Sequence, residues 1–253
     1  MSSILDYYEY AKLATAAYIN LDGMSLDATT VASQANTQER LPSKLAEQAF
    51  IRNPESNPNP WAISSGGYYG NDAEGFAATL FQRTQADGSV EKVLAIRGTE
   101  PDFSLTGDLL KADLGQIGFL GLAMGQVVSL VNYVRRLQAG TNTQVQQLEL
   151  NYSSTQPTGG PSITLPNGKG YIYFTEAPSQ AGLGLVNAGE KVTVTGHSLG
   201  GHLAALAARL FPELVSDAYT YNAAGFDPET MLKGSASNNF SKGGDEMKDF
   251  RKK

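Results

Sequence analysis

The 253-residue chain contains no cysteine and only two histidines, His197 and His202. The lack of cysteine excludes disulfide bonds and thiolate metal sites. Because both histidines lie in one short stretch, no other part of the chain can supply an imidazole for acid–base chemistry. No group of His, Asp and Glu residues has the spacing of metal ligands, so the sequence implies neither a metal nor a cofactor.

Charge is also scarce: charged residues make up 17% of the chain, and the formal net charge is -6 at pH 7. This fraction is below the roughly one quarter usual in soluble domains, and with the high glycine content it favours a globular enzyme over a disordered chain. The acidic balance, with no basic cluster before the last few residues, argues against a nucleic-acid partner. Residues 1–18 lack a basic start followed by an apolar run, and no stretch is apolar enough to span a bilayer. We therefore expect no secretory signal and no transmembrane segment, which leaves the cytoplasm or export by a C-terminal signal absent from this chain.

Periodicity and turn signals predict an α/β order of elements. Ser3 followed by Asp6 is typical of a capping box, and Asp87-Gly88 is typical of a hairpin turn. Residues 24–42 show no periodicity, and residues 53–70, rich in proline and glycine, are interpreted as a surface loop. The predicted helices cover residues 4–18, 43–51, 105–114, 115–137 and 199–210, and the predicted strands cover 76–83, 92–97, 163–165, 171–174, 192–195 and 218–221.

Residues 192–206, VTVTGHSLGGHLAAL, contain the motif that indicates chemistry. A β-branched run stops at Gly196 and strong helix formers follow Ser198, as in the nucleophile elbow G-x-S-x-G between a strand and a helix. A serine hydroxyl becomes a useful nucleophile when a strained turn lifts it clear of the sheet, where side chains at Gly196 and Gly200 would collide with their neighbours. The turn also leaves the Leu199 amide at a helix N-terminus, aimed where an oxyanion would form. The alternative is a glycine-rich helix start with an incidental serine.

Three segments carry a resemblance to a known family: I-R-G-T at 96–99, G-H-S-L-G-G at 196–201 and Y-T-Y-N at 219–222. With these motifs the chain resembles the α/β-hydrolase lipases, most closely the lipase class 3 group and its bacterial relatives, over about residues 75–227. The resemblance implies an α/β-hydrolase-type, mostly parallel sheet flanked by helices. It also implies a serine hydrolase that cleaves carboxylic esters, with acylglycerols or other acyl-lipids as substrate and transient contact with a lipid interface.

The resemblance assigns roles to individual residues. Ser198 corresponds to the nucleophile, and the backbone amides of Thr99 and Leu199 correspond to the oxyanion hole. Asp227 resembles the acid of pancreatic-type lipases, whereas class 3 lipases place theirs one strand later, where this chain has only Asp245 and Asp249 in its last residues. The alternative for Thr99 is a turn residue that ends a strand, and the alternative for Asp227 is the start of an Asp-Pro turn.

The chain differs from the family in its general base. In this fold a histidine is supplied from a loop after the last strand, well beyond the serine. His197 and His202 both lie inside the elbow, and we interpret both as structural, with His197 directed into the protein between strand and helix. The simplest interpretation is a C-terminally truncated chain whose sheet lacks its last strands and whose activity is low or absent. The alternatives are a non-catalytic pseudohydrolase that binds lipid or a protein partner, and a Ser-Lys variant for which no lysine is placed.

Composition indicates one domain and a tail. We expect residues 1–232 to form the lipase-like domain, with no shift in composition that marks a second. Residues 139–188 are long for a connection, which is typical of a lid, although a surface hairpin fits equally well. Residues 233–253 lack periodicity and are predicted to form a polar, flexible tail.

Overall fold

The computed structural model describes residues 3–98, 124–158, 162–165 and 170–223. The described residues fall into two compact units. The first unit comprises residues 3–98, 134–143 and 181–223, and the second comprises residues 124–133, 144–158, 162–165 and 170–180. Several predicted features lie outside the described residues: Thr99, Asp227, the helix over 105–114, the start of the helix over 115–137, the turn at Asn167-Gly168 and the tail over 233–253.

The described residues form five helices: α1 (Ile4–Ala16), α2 (Ala28–Thr37), α3 (Ser43–Phe50), α4 (Met124–Gln138) and α5 (Leu199–Leu210). The predicted capping box of α1 is confirmed, because the Asp6 amide donates to the Ser3 hydroxyl at 3.2 Å and the Ser3 amide donates to the Asp6 carboxylate at 2.6 Å. Helix α2 was not predicted. It begins after Asp27, whose carboxylate accepts a hydrogen bond from the Thr30 amide at 2.9 Å and so caps the helix. The helix was missed because its apolar residues show only a weak helical spacing.

The first unit contains a five-stranded sheet in the order β1-β2-β3-β7-β8. Its strands are β1 (Ala62–Tyr69), β2 (Ala78–Thr84), β3 (Val90–Ile96), β7 (Val192–His197) and β8 (Val215–Tyr221). The β1/β2 and β2/β3 pairs are antiparallel, whereas the β3/β7 and β7/β8 pairs are parallel. The fold is therefore α/β with a mixed sheet flanked by helices. The expectation of a mostly parallel sheet was wrong, because short connections join the first three strands and make their two pairs antiparallel.

Strand β1 corrects the prediction of a surface loop over residues 53–70. The pairing of β1 with β2 shifts register between Ile63 and Tyr68, and Gly66 adopts a φ of 77° within that irregularity. Glycines that serve a bulge look like loop residues in a sequence. Trp61, just before the strand, is only 2% exposed, so the later part of this segment contributes to the core. Residues 53–60 lie outside the helices and strands, as the loop prediction expects.

The two faces of this sheet are covered by different helices. Helices α1, α2 and α3 cover one face, where Leu13, Val31 and Phe50 join one apolar cluster with Val93 and Ala95 of β3. Helix α5 packs against β7, β8 and β3. Strand β7 is buried from Val192 to Gly196, as expected for a central strand with both faces covered. The turn that follows β7 is therefore held by the core.

The second unit contains a three-stranded sheet in the order β4-β6-β5. Its strands are β4 (Gln144–Ser153), β5 (Ser162–Thr164) and β6 (Tyr171–Ala181). Strands β5 and β6 are antiparallel, which confirms the predicted strand pair. The Asn132 side chain of α4 forms two 2.8 Å hydrogen bonds with the backbone of Leu148 in β4 and thereby fixes that helix to the sheet.

Candidate active site

A strained strand-to-helix turn surrounds Ser198. Strand β7 ends at His197 and helix α5 begins at Leu199, so a single residue connects the two elements. Ser198 has φ 56° and ψ -125°, a conformation that non-glycine residues rarely adopt. Its amide donates to the Tyr221 carbonyl of β8 at 2.9 Å, and this hydrogen bond to the neighbouring strand helps to hold the strained backbone in place.

The glycines on either side of Ser198 are required by close backbone contacts. A Cβ at Gly196 would meet the backbone of Gly200 and would lie 2.8 Å from the Gly201 nitrogen. A Cβ at Gly200 would meet the Ile96 carbonyl oxygen and would lie 2.8 Å from the Gly98 nitrogen. These are the collisions that the G-x-S-x-G spacing predicts, and backbone atoms cannot move aside as a flexible side chain can.

The end of strand β3 lies against this turn. A Cβ at Gly98 would be 2.5 Å from the His197 carbonyl oxygen and 3.2 Å from the Gly200 nitrogen. Gly98 is buried, and it immediately precedes Thr99 in the R-G-T segment. Gly98, which precedes Thr99, therefore packs against His197 and Gly200, one before and one after Ser198.

Arg97, the first residue of R-G-T, is engaged with the segment that precedes β2. Its guanidinium Nη2 donates to the Asn71 side chain and, at 3.2 Å, to the Gly75 carbonyl. Its backbone amide donates to the Ala77 carbonyl at 3.0 Å. These bonds give Arg97 a structural role, because they fix the strand end that carries Gly98.

Sequence reasoning missed Tyr18, which lies just beyond helix α1. Helical spacing groups Tyr18 with the core positions of the predicted helix over 4–18, but the Tyr18 hydroxyl accepts a hydrogen bond from the Gly98 amide at 3.1 Å. The same hydroxyl lies 3.4 Å from both the Nδ1 atom and the carbonyl oxygen of His197. No local signal could have revealed this, since Gly98 and His197 are 80 and 179 positions away along the chain.

The two histidines occupy different environments. His202 is fully buried in α5. His197 is exposed and its ring faces Tyr18, with 6.3 Å between the ring centroids, which corrects the expectation that it points into the protein. The alternation of side chains along a strand explains this, because His197 shares a face with Thr195, whose hydroxyl bonds to the Tyr10 carbonyl at 3.2 Å on α1. The strand ends near the end of that helix, so the imidazole reaches solvent.

Aromatic residues hold α1 against β8. The ring of Tyr219 packs against those of Tyr7 and Tyr10, with centroid distances of 5.1 and 4.3 Å. The Tyr221 hydroxyl donates to the Tyr7 carbonyl at 2.5 Å. Burial, together with the neighbouring Tyr219 and Tyr7, raises the pKa of Tyr221 to about 12, so its hydroxyl remains a donor at neutral pH. This layer fixes the helix that delivers Tyr18.

The described ranges contain neither a metal-binding cluster nor a helix suited to a membrane. No three His, Asp or Glu residues there are grouped so that they could hold a metal ion. None of the helices seen in that part of the chain combines the length and apolar character that crossing a bilayer requires.

The last part of the chain resembles a known protein family. A search of the curated proteins and a search of the solved structures each returned no match. A model of a phospholipase-like family, described as the Tle-like phospholipase domain, matches residues 173–252, about a third of the chain. The matched segment includes β7, the turn at Ser198, α5 and β8, and it extends through Asp227. Over these residues the chain is similar to a phospholipase domain, which supports a lipid-hydrolysing enzyme of the lipase or phospholipase type.

Proposed function

We propose that this chain is a serine hydrolase of the α/β-hydrolase class that cleaves carboxylic esters in acyl-lipids, with Ser198 as nucleophile. The observation that carries the proposal is the strained Ser198 backbone between β7 and α5, since such strain clusters at functional sites. The parallel β3/β7/β8 arrangement and the lipase-type motifs favour this class, and the phospholipase match favours a lipid ester as substrate. The motifs favour a relationship to class 3 lipases within this group.

The oxyanion hole is proposed to consist of the Leu199 and Thr99 amides. Leu199 is the first residue of α5, where backbone amides have no acceptor within the helix and the helix dipole favours negative charge. Thr99 follows Gly98, which lies against the same turn. Two amides aimed at the developing oxyanion would stabilise it more strongly than the neutral ester oxygen.

The reaction proceeds through an acyl-enzyme. The Ser198 hydroxyl gives up its proton as its oxygen bonds to the ester carbonyl carbon, and the carbonyl electrons move onto the oxyanion. Collapse of this intermediate breaks the ester C–O bond and releases the alcohol, which takes up the proton that Ser198 lost. Water then attacks the acyl-enzyme: its hydroxyl joins the acyl group to form the fatty acid, and its other proton returns to the Ser198 oxygen. Asp227, within the segment that matches the phospholipase domain, is proposed as the acid that would orient a histidine base.

We assign the general base to neither histidine of this chain. His202 is fully buried and His197 faces Tyr18. Loss of the base lowers kcat by about 10⁶-fold in a serine protease, where the oxyanion hole and substrate binding supply the remaining rate. We therefore expect slow turnover by the chain as given, and a test that detects the nucleophile itself is more informative than a turnover assay.

Labelling with a fluorophosphonate probe tests the nucleophile. Prolonged incubation with excess probe should add one phosphonyl group, located at Ser198 by peptide mass spectrometry, and Ser198→Ala should abolish the labelling. Ser65→Ala is a matched control, because Ser65 is an exposed serine on β1 and its removal should leave the labelling unchanged. Labelling that persists in Ser198→Ala, or no labelling of the unaltered chain, would contradict the proposal.

A non-catalytic lipid-binding protein is the second candidate, favoured by the presence of only His197 and His202 in the whole chain. Phospholipid vesicles distinguish the two functions. A binding protein would sediment with the vesicles and release no fatty acid, and Ser198→Ala would bind as well as the unaltered chain. The hydrolase would release fatty acid slowly and would lose this activity in Ser198→Ala.

A further inference from the structure

Tyr18 lies where two strand ends meet beyond their last paired residues. The parallel register of β3 and β7 ends with the pair Ile96 and Gly196. Gly98 and His197 follow these residues and are joined instead through one side chain, the Tyr18 hydroxyl, which lies 3.1 Å from the Gly98 nitrogen and 3.4 Å from the His197 carbonyl oxygen. The Tyr18 hydroxyl thus links the ends of β3 and β7 beyond the last residues whose backbones are paired.

The hydrogen-bonding capacity of a phenol matches this place. The Tyr18 oxygen accepts from the Gly98 amide, and its single proton is donated to His197, at either the carbonyl oxygen or Nδ1. A phenylalanine would fill the same space but would leave the buried Gly98 amide without this acceptor, and an unmet buried donor is costly. The hydroxyl, rather than the ring, therefore makes the connection.

The position of Tyr18 is itself fixed by helix α1. The Tyr221 hydroxyl bonds to the Tyr7 carbonyl at 2.5 Å, and the Thr195 hydroxyl bonds to the Tyr10 carbonyl at 3.2 Å. These contacts anchor α1 to β8 and β7 upstream of Tyr18. A side chain supported in this way can hold two backbone segments at a constant separation.

We propose that Tyr18 is a positioning residue for the reaction at Ser198. His197 precedes the nucleophile and Gly98 precedes Thr99 in the sequence, so the hydroxyl joins the residue before the attacking serine to the residue before one of the two proposed oxyanion donors. This inference rests on the proposed function. Because a misplacement of about 1 Å in a reacting group can cost about 10²-fold in rate, loss of the hydroxyl should slow the chemical step while substrate affinity is retained.

The experiment compares Tyr18→Phe with Tyr10→Phe by fluorophosphonate kinetics. Tyr10 lies on the same helix and loses a comparable bond, 2.7 Å long, from its hydroxyl to Glu91, but Glu91 lies near the beginning of β3, at the end of that strand opposite to Gly98. For Tyr18→Phe we expect the maximal rate of Ser198 labelling to fall by about tenfold or more, with an unchanged half-saturating probe concentration. Tyr10→Phe should leave both parameters unchanged, and the Gly98 amide proton should exchange faster with solvent in Tyr18→Phe alone.

Each outcome bears on the proposal. Equal maximal rates for Tyr18→Phe and the unaltered chain, or an unchanged Gly98 amide, would overturn the role of Tyr18 while leaving Ser198 as the nucleophile. No labelling of the unaltered chain would overturn the proposed function and, with it, this role. If Tyr18→Phe does not fold, 4-aminophenylalanine at position 18 replaces it. This side chain retains the ring and a hydrogen-bond donor but is a poor acceptor for the Gly98 amide. A lowered maximal rate of labelling would support the proposal, and an unchanged rate would overturn it.

Discussion

At the scale of single residues, steric exclusion around Ser198 dominates the candidate site. Gly200 lies in the first turn of α5, where alanine would ordinarily be the better helix former. The backbone of β3 passes so close that a methyl group at this position would lie 2.8 Å from both the Arg97 carbonyl carbon and the Gly98 nitrogen. At Gly200, the higher helix propensity of alanine is therefore opposed by the steric overlap of its methyl group, and the larger of the two free energies decides the effect of the substitution.

We predict that Gly200→Ala destabilises the protein. Alanine gains up to about 1 kcal/mol in helix propensity, whereas forcing a methyl group into a filled backbone contact costs about 1–3 kcal/mol. The urea midpoint should fall, and labelling of Ser198 should slow because the β3 end is displaced. Gly140→Ala is the matched control, since its Cβ would meet nothing closer than the Thr143 hydroxyl at 3.8 Å. Equal midpoints for the two variants would contradict the steric argument.

At the scale of elements, the helices on one face of the sheet depend on their first turns. The N-cap of α2 is Asp27, whose carboxylate accepts from the Thr30 amide at 2.9 Å and from the Thr30 hydroxyl at 2.8 Å. These hydrogen bonds, with the Thr30 amide bond the largest contribution, lower the pKa of Asp27 to about 2. The charged form is therefore favoured by the folded helix.

This shift predicts a pH-dependent effect of Asp27→Ala. Because the folded pKa is about 2 and the ordinary value is 3.8, the contribution of the charged cap is present above about pH 4 and is lost as the pH falls through about 2. The difference in melting temperature between Asp27→Ala and the unaltered chain should thus be largest near neutral pH and should shrink across this window. Asp27→Asn, which retains an uncharged cap, isolates the effect of charge. A difference that does not change with pH would contradict the assignment.

At the scale of the whole molecule, buried phenols couple the fold to alkaline pH. Burial raises the pKa of Tyr10, Tyr68, Tyr69 and Tyr221 above the ordinary value of 10.0, and for Tyr10 the hydrogen bond to Glu91 adds to the shift. The unfolded chain releases these protons first as the pH rises. The stability that the neutral phenols contribute is therefore complete below pH 10. It is lost as the pH rises through the pKa values that these phenols have in the folded protein, and for Tyr221 that pKa is about 12.

We expect the protein to lose stability steeply above pH 10. In an alkaline titration followed by tyrosinate absorbance and circular dichroism, a group of phenols should ionise together with unfolding. Tyr10→Phe should reduce this alkaline loss because one shifted group is removed. A chain whose tyrosines all ionise before any change in secondary structure would contradict the burial argument.

Prediction from the sequence was accurate where adjacent residues decide the structure. The Asp87-Gly88 turn predicted the β2/β3 hairpin, in which Gly88 has a φ of 84°, and the helix formers after Ser198 predicted α5 to its end at Leu210. It was wrong over β1 (Ala62–Tyr69), where two glycines serve a strand irregularity rather than a loop. A single sequence contains the same glycines in either case, and only the partner strand distinguishes them.

The candidate site divides in the same way. The serine turn could be predicted from the residues themselves, because the need for glycine at 196 and 200 and the change from strand to helix are properties of neighbouring residues. The folded structure was needed to find that Tyr18 joins Gly98 to His197 and that the His197 imidazole is exposed. Those contacts connect positions far apart in the chain, and helical periodicity cannot distinguish a tyrosine in the core from one whose hydroxyl reaches a strand end. The physical reason is that local sterics act between adjacent residues, whereas the partner of a side chain is chosen by packing.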